Sequence, residues 1–283
     1  MEEKQKLKKH KSQFAKFGHS RKALAVPISF LILFVSMLGI VSITYYFAVE
    51  KINTRSTTLK VSTAKQDMLS FSETLLAVIG QPGSARTFEF SDSGGEVNVQ
   101  PSVNSLIINI TDNRDIAATV FNETTGQVIY ELSYSESPDT GLFLKGDSRT
   151  ITNQSGSTIT QLYIRSGAEH PEIVLHYRPV VSYTTAGIED NKVVTNLRIY
   201  IVNLNSSEAI ALFGKVPLKI SCVSTQITTT TYDLSYETET LLVTSILDGS
   251  SGQVSIPVTS TANGAIINVE TVLCDVKIQR WVR

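Results

Sequence analysis

The hydrophobic pattern along the chain changes character twice. From Ala23 to Val49 it carries 27 consecutive uncharged residues, dominated by Leu, Ile, Val and Phe. As an α-helix rising about 1.5 Å per residue, that run reaches roughly 40 Å, more than the ~30 Å hydrocarbon core of a bilayer requires. Between Glu50 and Ile79 there is neither Pro nor Gly, and apolar residues recur at Val61, Ala64, Met68, Phe71, Leu75 and Val78. The alternating three- and four-residue intervals are an a/d stripe, broadened by Leu69 and Leu76. They predict that the helix continues and lays one face against a partner. That partner is the domain that follows, another subunit, or both. Gly80, Pro82 and Gly83 form a helix-ending cluster.

From about Arg86 the period becomes two. Val, Ile, Thr and Tyr stand in short runs such as "RTFEF", "SLIINIT", "TQLYIRS", "EIVLHYR", "TLLVTSIL" and "AIINVETVLCDVKIQ". Turn signals separate them: "DSGG" at 92–95, "TTGQ" at 124–127, "KGDS" at 145–148, "DGSSG" at 248–252 and Asn263-Gly264, the strongest short hairpin cue. The expected fold is therefore a long N-terminal α-helix, transmembrane plus amphipathic extension, followed by an all-β, sandwich-like extracellular region. The expected divisions are a basic leader at 1–22, a transmembrane helix at 23–49, an amphipathic stem at 50–80 and a head at 86–283. The head is either one sandwich or two modules divided near 185–192. Thr228 to Thr231 read as an exposed strand segment.

Charge gives the apolar run a direction. Residues 1–22 hold eight of the 25 Lys and Arg against two acidic residues, about +6, which leaves 17 basic and 24 acidic residues, about −7, for the rest. The positive-inside rule then predicts a cytoplasmic leader and an extracellular head, with Tyr45, Tyr46 and Phe47 at the outer interface. No aromatic interleaving accompanies the basic run, so nucleic acid is not an expected partner; the lipid bilayer is. A secretory signal peptide has a shorter apolar core, about 7–15 residues, and small residues at its cleavage site. Bulky Ile43, Tyr45, Tyr46 and Phe47 close this run instead.

The exterior assignment brings in further chemistry. Four glycosylation sequons begin at Asn109, Asn122, Asn153 and Asn205, all on the expected outer side. Cys222 and Cys274, both in strand-like sequence, are either one disulfide, worth roughly 4 kcal/mol in the chain-entropy model, or two buried thiols. His10 and His19 lie in the leader. His170 and His176 fall on one face of a regular strand, but no neighbouring ligands complete a metal site, and no metal or other cofactor is expected. Glu189 and Asp190 read as solvated loop charges rather than a glycosidase pair. Phosphate-loop, nucleophile-elbow, zinc-protease and Cys-x-x-Cys motifs are all missing, so no enzyme is expected.

At Arg21-Lys22-Ala23-Leu24-Ala25 the sequence resembles the prepilin-type (class III) signal of archaeal pilin-like proteins, in which a basic residue and then Gly or Ala precede a hydrophobic helix. The resemblance implies cleavage between Ala23 and Leu24 on the cytoplasmic side, with Lys22, Ala23 and Leu24 as the processing residues. Pro27 resembles the proline near the start of many archaeal pilin stems. The layout is also similar: basic leader, apolar stem, heptad extension, Gly/Pro break and β-rich head. In that family the stem packs among identical helices, which implies other pilin-like subunits as partners and a role in adhesion or in filament or envelope assembly. Two departures point to a minor or pilin-like protein rather than a chief subunit. Ile28 stands where many pilins have Glu, and the head is larger than a typical one. The alternatives are an uncleaved single-pass protein with a ligand-binding β ectodomain, and an anchored extracellular hydrolase.

Overall fold

A computed structural model describes residues 21–112, 114, 116–133, 140–153 and 159–281, with residues 21–26 traced by their backbone. The apolar run and the amphipathic stretch form one uninterrupted 56-residue helix, α1 (Arg21–Leu76), with Pro27 inside it. The chain divides into two units, the first ending at Thr58 and the second comprising Leu59–Arg283.

In the first unit every side chain from Pro27 to Ser56 is exposed, Phe30 at 70% and Tyr45 at 71%. This is the one helix among the described residues long and apolar enough to cross a membrane. Two of its hydroxyls are satisfied within the helix: Ser36 donates to the Ile32 carbonyl at 2.7 Å and Thr44 to the Ile40 carbonyl at 2.8 Å. A helix in hydrocarbon must satisfy its polar groups in this way.

In the second unit the helix closes at Leu76, four residues before the expected end. Residues 77–80 turn, and Gly80 and Gly83 take positive φ of 76° and 81°. Among the described residues thirteen strands follow: β1 (Ala85–Phe90), β2 (Glu96–Thr111), β3 (Ala117–Glu131), β4 (Phe143–Lys145), β5 (Thr160–Ser166), β6 (Pro171–Tyr177), β7 (Val180–Glu189), β8 (Lys192–Asn203), β9 (Ile210–Phe213), β10 (Val216–Leu234), β11 (Thr240–Leu247), β12 (Ser250–Pro257) and β13 (Ala265–Arg280). They form a five-stranded sheet ordered β1-β10-β13-β8-β7 and an eight-stranded sheet ordered β12-β11-β2-β3-β6-β5-β4, with β9 also paired to β2. All pairings between strands are antiparallel except β13 with β8, which runs parallel from Ala265 opposite Val193 to Asp275 opposite Asn203. The expected helix followed by an all-β head is the observed architecture.

The head is one unit, and the suggested division near 185–192 is a hairpin. β7 and β8 pair from Val180 opposite Tyr200 to Glu189 opposite Lys192, and Asp190 and Asn191 turn between them at φ 48° and 61°. The last strand, β13, lies between β10 and β8, and the late pair β11–β12 extends β2, so both sheets mix early and late segments. Two other turn signals have different roles. "TTGQ" lies inside β3, where a Cβ on Gly126 would stand 2.8 Å from the carbonyls of Gln100 and Pro101. That glycine permits close backbone approach beside a register shift between Gln100 and Asn104. Asn263-Gly264 closes a tight turn, Thr261 against Gly264, but joins β12 to β13, which belong to different sheets. The Thr228–Thr231 run is the exposed part of β10, as expected.

The amphipathic stripe is consumed by the head. Ala64, Met68, Phe71, Leu75 and Val78 are all fully buried, with Val61, Leu69 and Leu76 packed against them. They share a core with Phe90 of β1, Val97 and Val99 of β2, Val128 and Tyr130 of β3, and Val276 and Ile278 of β13. Phe71 is the anchor, its ring centroid 5.4 Å from that of Phe88 and 5.0 Å from that of Phe90. A second core, of Leu106, Ile108, Leu197, Ile199, Val243, Ile256 and Ile267 among others, fills the rest of the sandwich.

Candidate functional site

Of the residues singled out by sequence, the stem stripe is brought together as one packed face, and the two cysteines meet. Cys222 of β10 and Cys274 of β13 are both buried thiols with sulfurs 3.5 Å apart. They approach because Cys222 stands opposite Val276, two residues along the same face from Cys274, beside a bulge between Cys222 and Ser224 that puts Thr225 opposite Cys274. The Gly80 N–H donates to Cys274 Sγ at 3.3 Å, tying the end of the stem to the pair. Burial, with the neighbouring Cys222 adding to it, pushes the Cys274 thiol up to about 11.

The processing residues Lys22, Ala23 and Leu24 lie within α1, and their side chains, like the leader with His10 and His19, fall outside the described residues. Of the sequons, Asn122 and Asn153 are exposed, while Asn109 and Asn205 are half-buried. The Asn109 carboxamide oxygen also accepts the Thr119 hydroxyl at 2.8 Å. Residues 154 and 155 of the third sequon lie outside the described residues. Glu189 and Asp190 sit exposed at the β7–β8 turn. His170 lies just before β6 and His176 near its far end, and among the described residues no three His, Cys, Asp or Glu side chains converge as a metal site would require.

What sequence reasoning missed is a polar construction on the eight-stranded sheet. Arg178, just past β6, is fully buried, which an arginine tolerates only when its donors are satisfied. Its Nη1 donates to Asp147 Oδ1 at 2.5 Å and to the Arg149 carbonyl at 2.8 Å. Gln161 of β5 donates its Nε2 to the carbonyls of the same two residues, at 2.5 Å and 3.0 Å. Thr150 Oγ1 then donates to the Ser245 carbonyl of β11 at 3.3 Å. The β4–β5 segment at 147–150 is thereby pinned at both ends. Asp147 also accepts both ends of the Arg149 guanidinium, and Arg149 first, then Arg178, hold its carboxyl well below the usual carboxylate range.

Beside this lock lies a cavity of about 220 Å³. Gln127, Gln161, Tyr163 and His176 line it. Each is adjacent along its strand to a core residue (Val128, Leu162, Ile164, Leu175 and Tyr177), so alternation places them on the face of the sheet away from the first core. Gln161 stands directly opposite His176, and Gln127 follows in the next strand. Asn104 donates to Gln127 Oε1 at 3.4 Å, and Gln127 Nε2 donates to Gln100 at 2.8 Å. Phe143 and Tyr163 form an aromatic wall, centroids 5.3 Å apart, and Asp248 and Ser250 of the β11–β12 hairpin border the opening. Burial drives the His176 imidazole down to about 4, so it is neutral near pH 7. The sequence signal available was only an Arg two residues past a strand histidine, with nothing in the pattern to mark it as buried. Its partner Asp147 lay in what read as an ordinary turn.

Comparison with family models finds no match, and comparison with characterised proteins and with solved structures likewise finds none. The functional reading therefore rests on the chain's own residues.

Proposed function

We propose that this chain is a membrane-anchored, pilin-like cell-surface protein, its N-terminus cytoplasmic and its β head extracellular, acting in adhesion or in filament or envelope assembly. The observation that carries the reading is the division of labour within one unbroken helix. The charge-free part from Pro27 to Val49 is exposed on every side, whereas the stripe from Ala64 to Leu75 is wholly buried in the head. A helix that is apolar all round needs a hydrocarbon or helical environment. One that buries a single stripe has already found its partner. The basic leader and Arg21-Lys22-Ala23-Leu24 support processing by a prepilin-type peptidase, after which Pro27 falls at the fourth residue of the mature stem, where a helix tolerates proline.

The test is the mass of the mature amino end. A chain beginning at Leu24 is expected, with processing blocked by Lys22→Ala. A mature protein that retains residues 1–22 overturns the pilin-like reading and leaves a single-pass anchor with a β ectodomain.

A further inference from the structure

The cavity beside Arg178 has a feature that packing does not require. Two of its lining side chains are more than nine-tenths buried and carry a polar atom with no hydrogen-bond partner, Gln161 Oε1 and His176 Nδ1. Gln161 is oriented by its Nε2, which is committed to two carbonyls, so its oxygen is held in place as an acceptor. A buried polar atom left unpaired is costly, and a ligand hydroxyl entering the cavity could satisfy both of these atoms.

We propose that this cavity binds one neutral saccharide ring. Size comes first: about 220 Å³ is below the roughly 300–1,000 Å³ of pockets for drug-sized ligands, and suits a single ring. The lining chemistry comes second. Carboxamides, hydroxyls and a neutral imidazole both donate and accept, matching sugar hydroxyls that do the same. The Phe143–Tyr163 wall offers an apolar surface for the C–H face of a ring. Charge excludes other classes. The bordering Arg165 is paired with Glu172 at 2.7 Å, so an anion meets no uncompensated cation. Asp248 Oδ1 is held by the Ser105 N–H at 2.8 Å. An apolar ligand would leave Gln161 and His176 unpaired and gain little. The walls are preorganised by the Arg178–Asp147 lock and by Thr150, so binding orders few side chains. The site belongs to the head alone and stands whether the helix is processed or not.

The experiment is saturation-transfer NMR on the full chain in a detergent without a sugar head group. The probes are the methyl glycosides of glucose, galactose, mannose and N-acetylglucosamine. At least one is expected to receive saturation, with a dissociation constant in the millimolar range or tighter. Gln161→Leu should weaken it about tenfold, the equivalent of one lost hydrogen bond. Ser250→Trp, at an exposed hairpin position on the rim, should abolish it, and provides the readout if Gln161→Leu does not fold. Arg198→Ala, on the five-stranded sheet, should leave it unchanged. Absence of saturation from all four glycosides, or binding that persists in both cavity variants, overturns the proposal.

Discussion

Replacing Phe71 with alanine tests whether the stem is part of the head's core. Phe71 is fully buried and lies within 5.4 Å and 5.0 Å of the Phe88 and Phe90 rings, themselves 4.9 Å apart. Truncating a buried Phe to Ala costs about 3–5 kcal/mol through lost transfer energy and the cavity left behind. Against a total stability of roughly 5–15 kcal/mol, that is a large share. For a unit of about this size each kcal/mol lowers the melting temperature by roughly 2–4 °C, so a drop of about 6–20 °C is expected. Phe71→Leu refines the test. It keeps most of the apolar volume but loses both ring pairs, each worth about 0.5–1.5 kcal/mol beyond area, so its cost should fall well below that of alanine. The assay is thermal melting of the full chain in detergent, followed by β-sheet circular dichroism. Phe34→Ala, in the exposed apolar run, serves as the control and should not move the β transition. A drop under about 2 °C for Phe71→Ala, less than 1 kcal/mol, would refute the stem as core and return the stripe to a partner subunit.

Asp147→Asn should destabilise the head by about 3 kcal/mol in urea titration, at the low end of the 3–5 kcal/mol for breaking a buried pair because its carboxylate is partly exposed while Arg178 is not. Since the folded carboxyl of Asp147 is depressed, its stabilisation is present above the ordinary carboxylate range and lost as pH falls through it, and the Asn variant should show a smaller acid loss. His176 is also depressed, to about 4 from 6.5; the unfolded chain binds the proton first, so up to about 3 kcal/mol of stability should disappear as pH falls from 6.5 to 4. Denaturant titrations across that window should be flatter for His176→Gln. Under oxidising conditions Cys222 and Cys274, 52 residues apart in sequence, should join, making the intact mass two hydrogens lighter and adding about 4 kcal/mol, whereas Cys222→Ser should abolish both changes. Expressed in a glycosylating host, the chain should carry glycan at exposed Asn122 before half-buried Asn109, as peptide mass mapping would reveal.

Most of the architecture was legible because it is written in periodicity. "TQLYIRS" and "TLLVTSIL" coincide with β5 and β11, since each sets apolar core residues at every second position, Leu162 and Ile164 in one and Leu241 and Val243 in the other. The strands that escaped have no such alternation. β7 buries only its first two residues and is exposed over the other eight, and β9 is four residues long. The first halves of β2 and β3 were hidden by Gly126 and Pro101, which read as punctuation but mark a bulged, close crossing. Asn263-Gly264 gave the right local turn and the wrong connection, because a tight turn fixes the direction of the chain but not which sheet receives it. The cavity was illegible for a different reason. Asn104, Gln127, Gln161 and His176 come from four strands, and only the strand order brings them into one row.

The a/d stripe shows where sequence stops deciding. Helix–helix and helix–sheet packing both need apolar side chains at alternating intervals of three and four, so the stripe could not name its partner. The deciding quantity is what the head lacks without it. Phe88 and Phe90 of β1 pack their rings on Phe71, Phe90 meets Tyr130 of β3, and without the stem these rings of the first core lose the side chain they close upon. The head claims the stem from its own chain, at fixed stoichiometry. What then remains as continuous exposed apolar surface among the described residues is the run from Ile28 to Ile52. On the proposed reading, lipid and a neighbouring helix would compete for that same surface, so anchoring and assembly would be alternative states of one segment rather than separate functions of two.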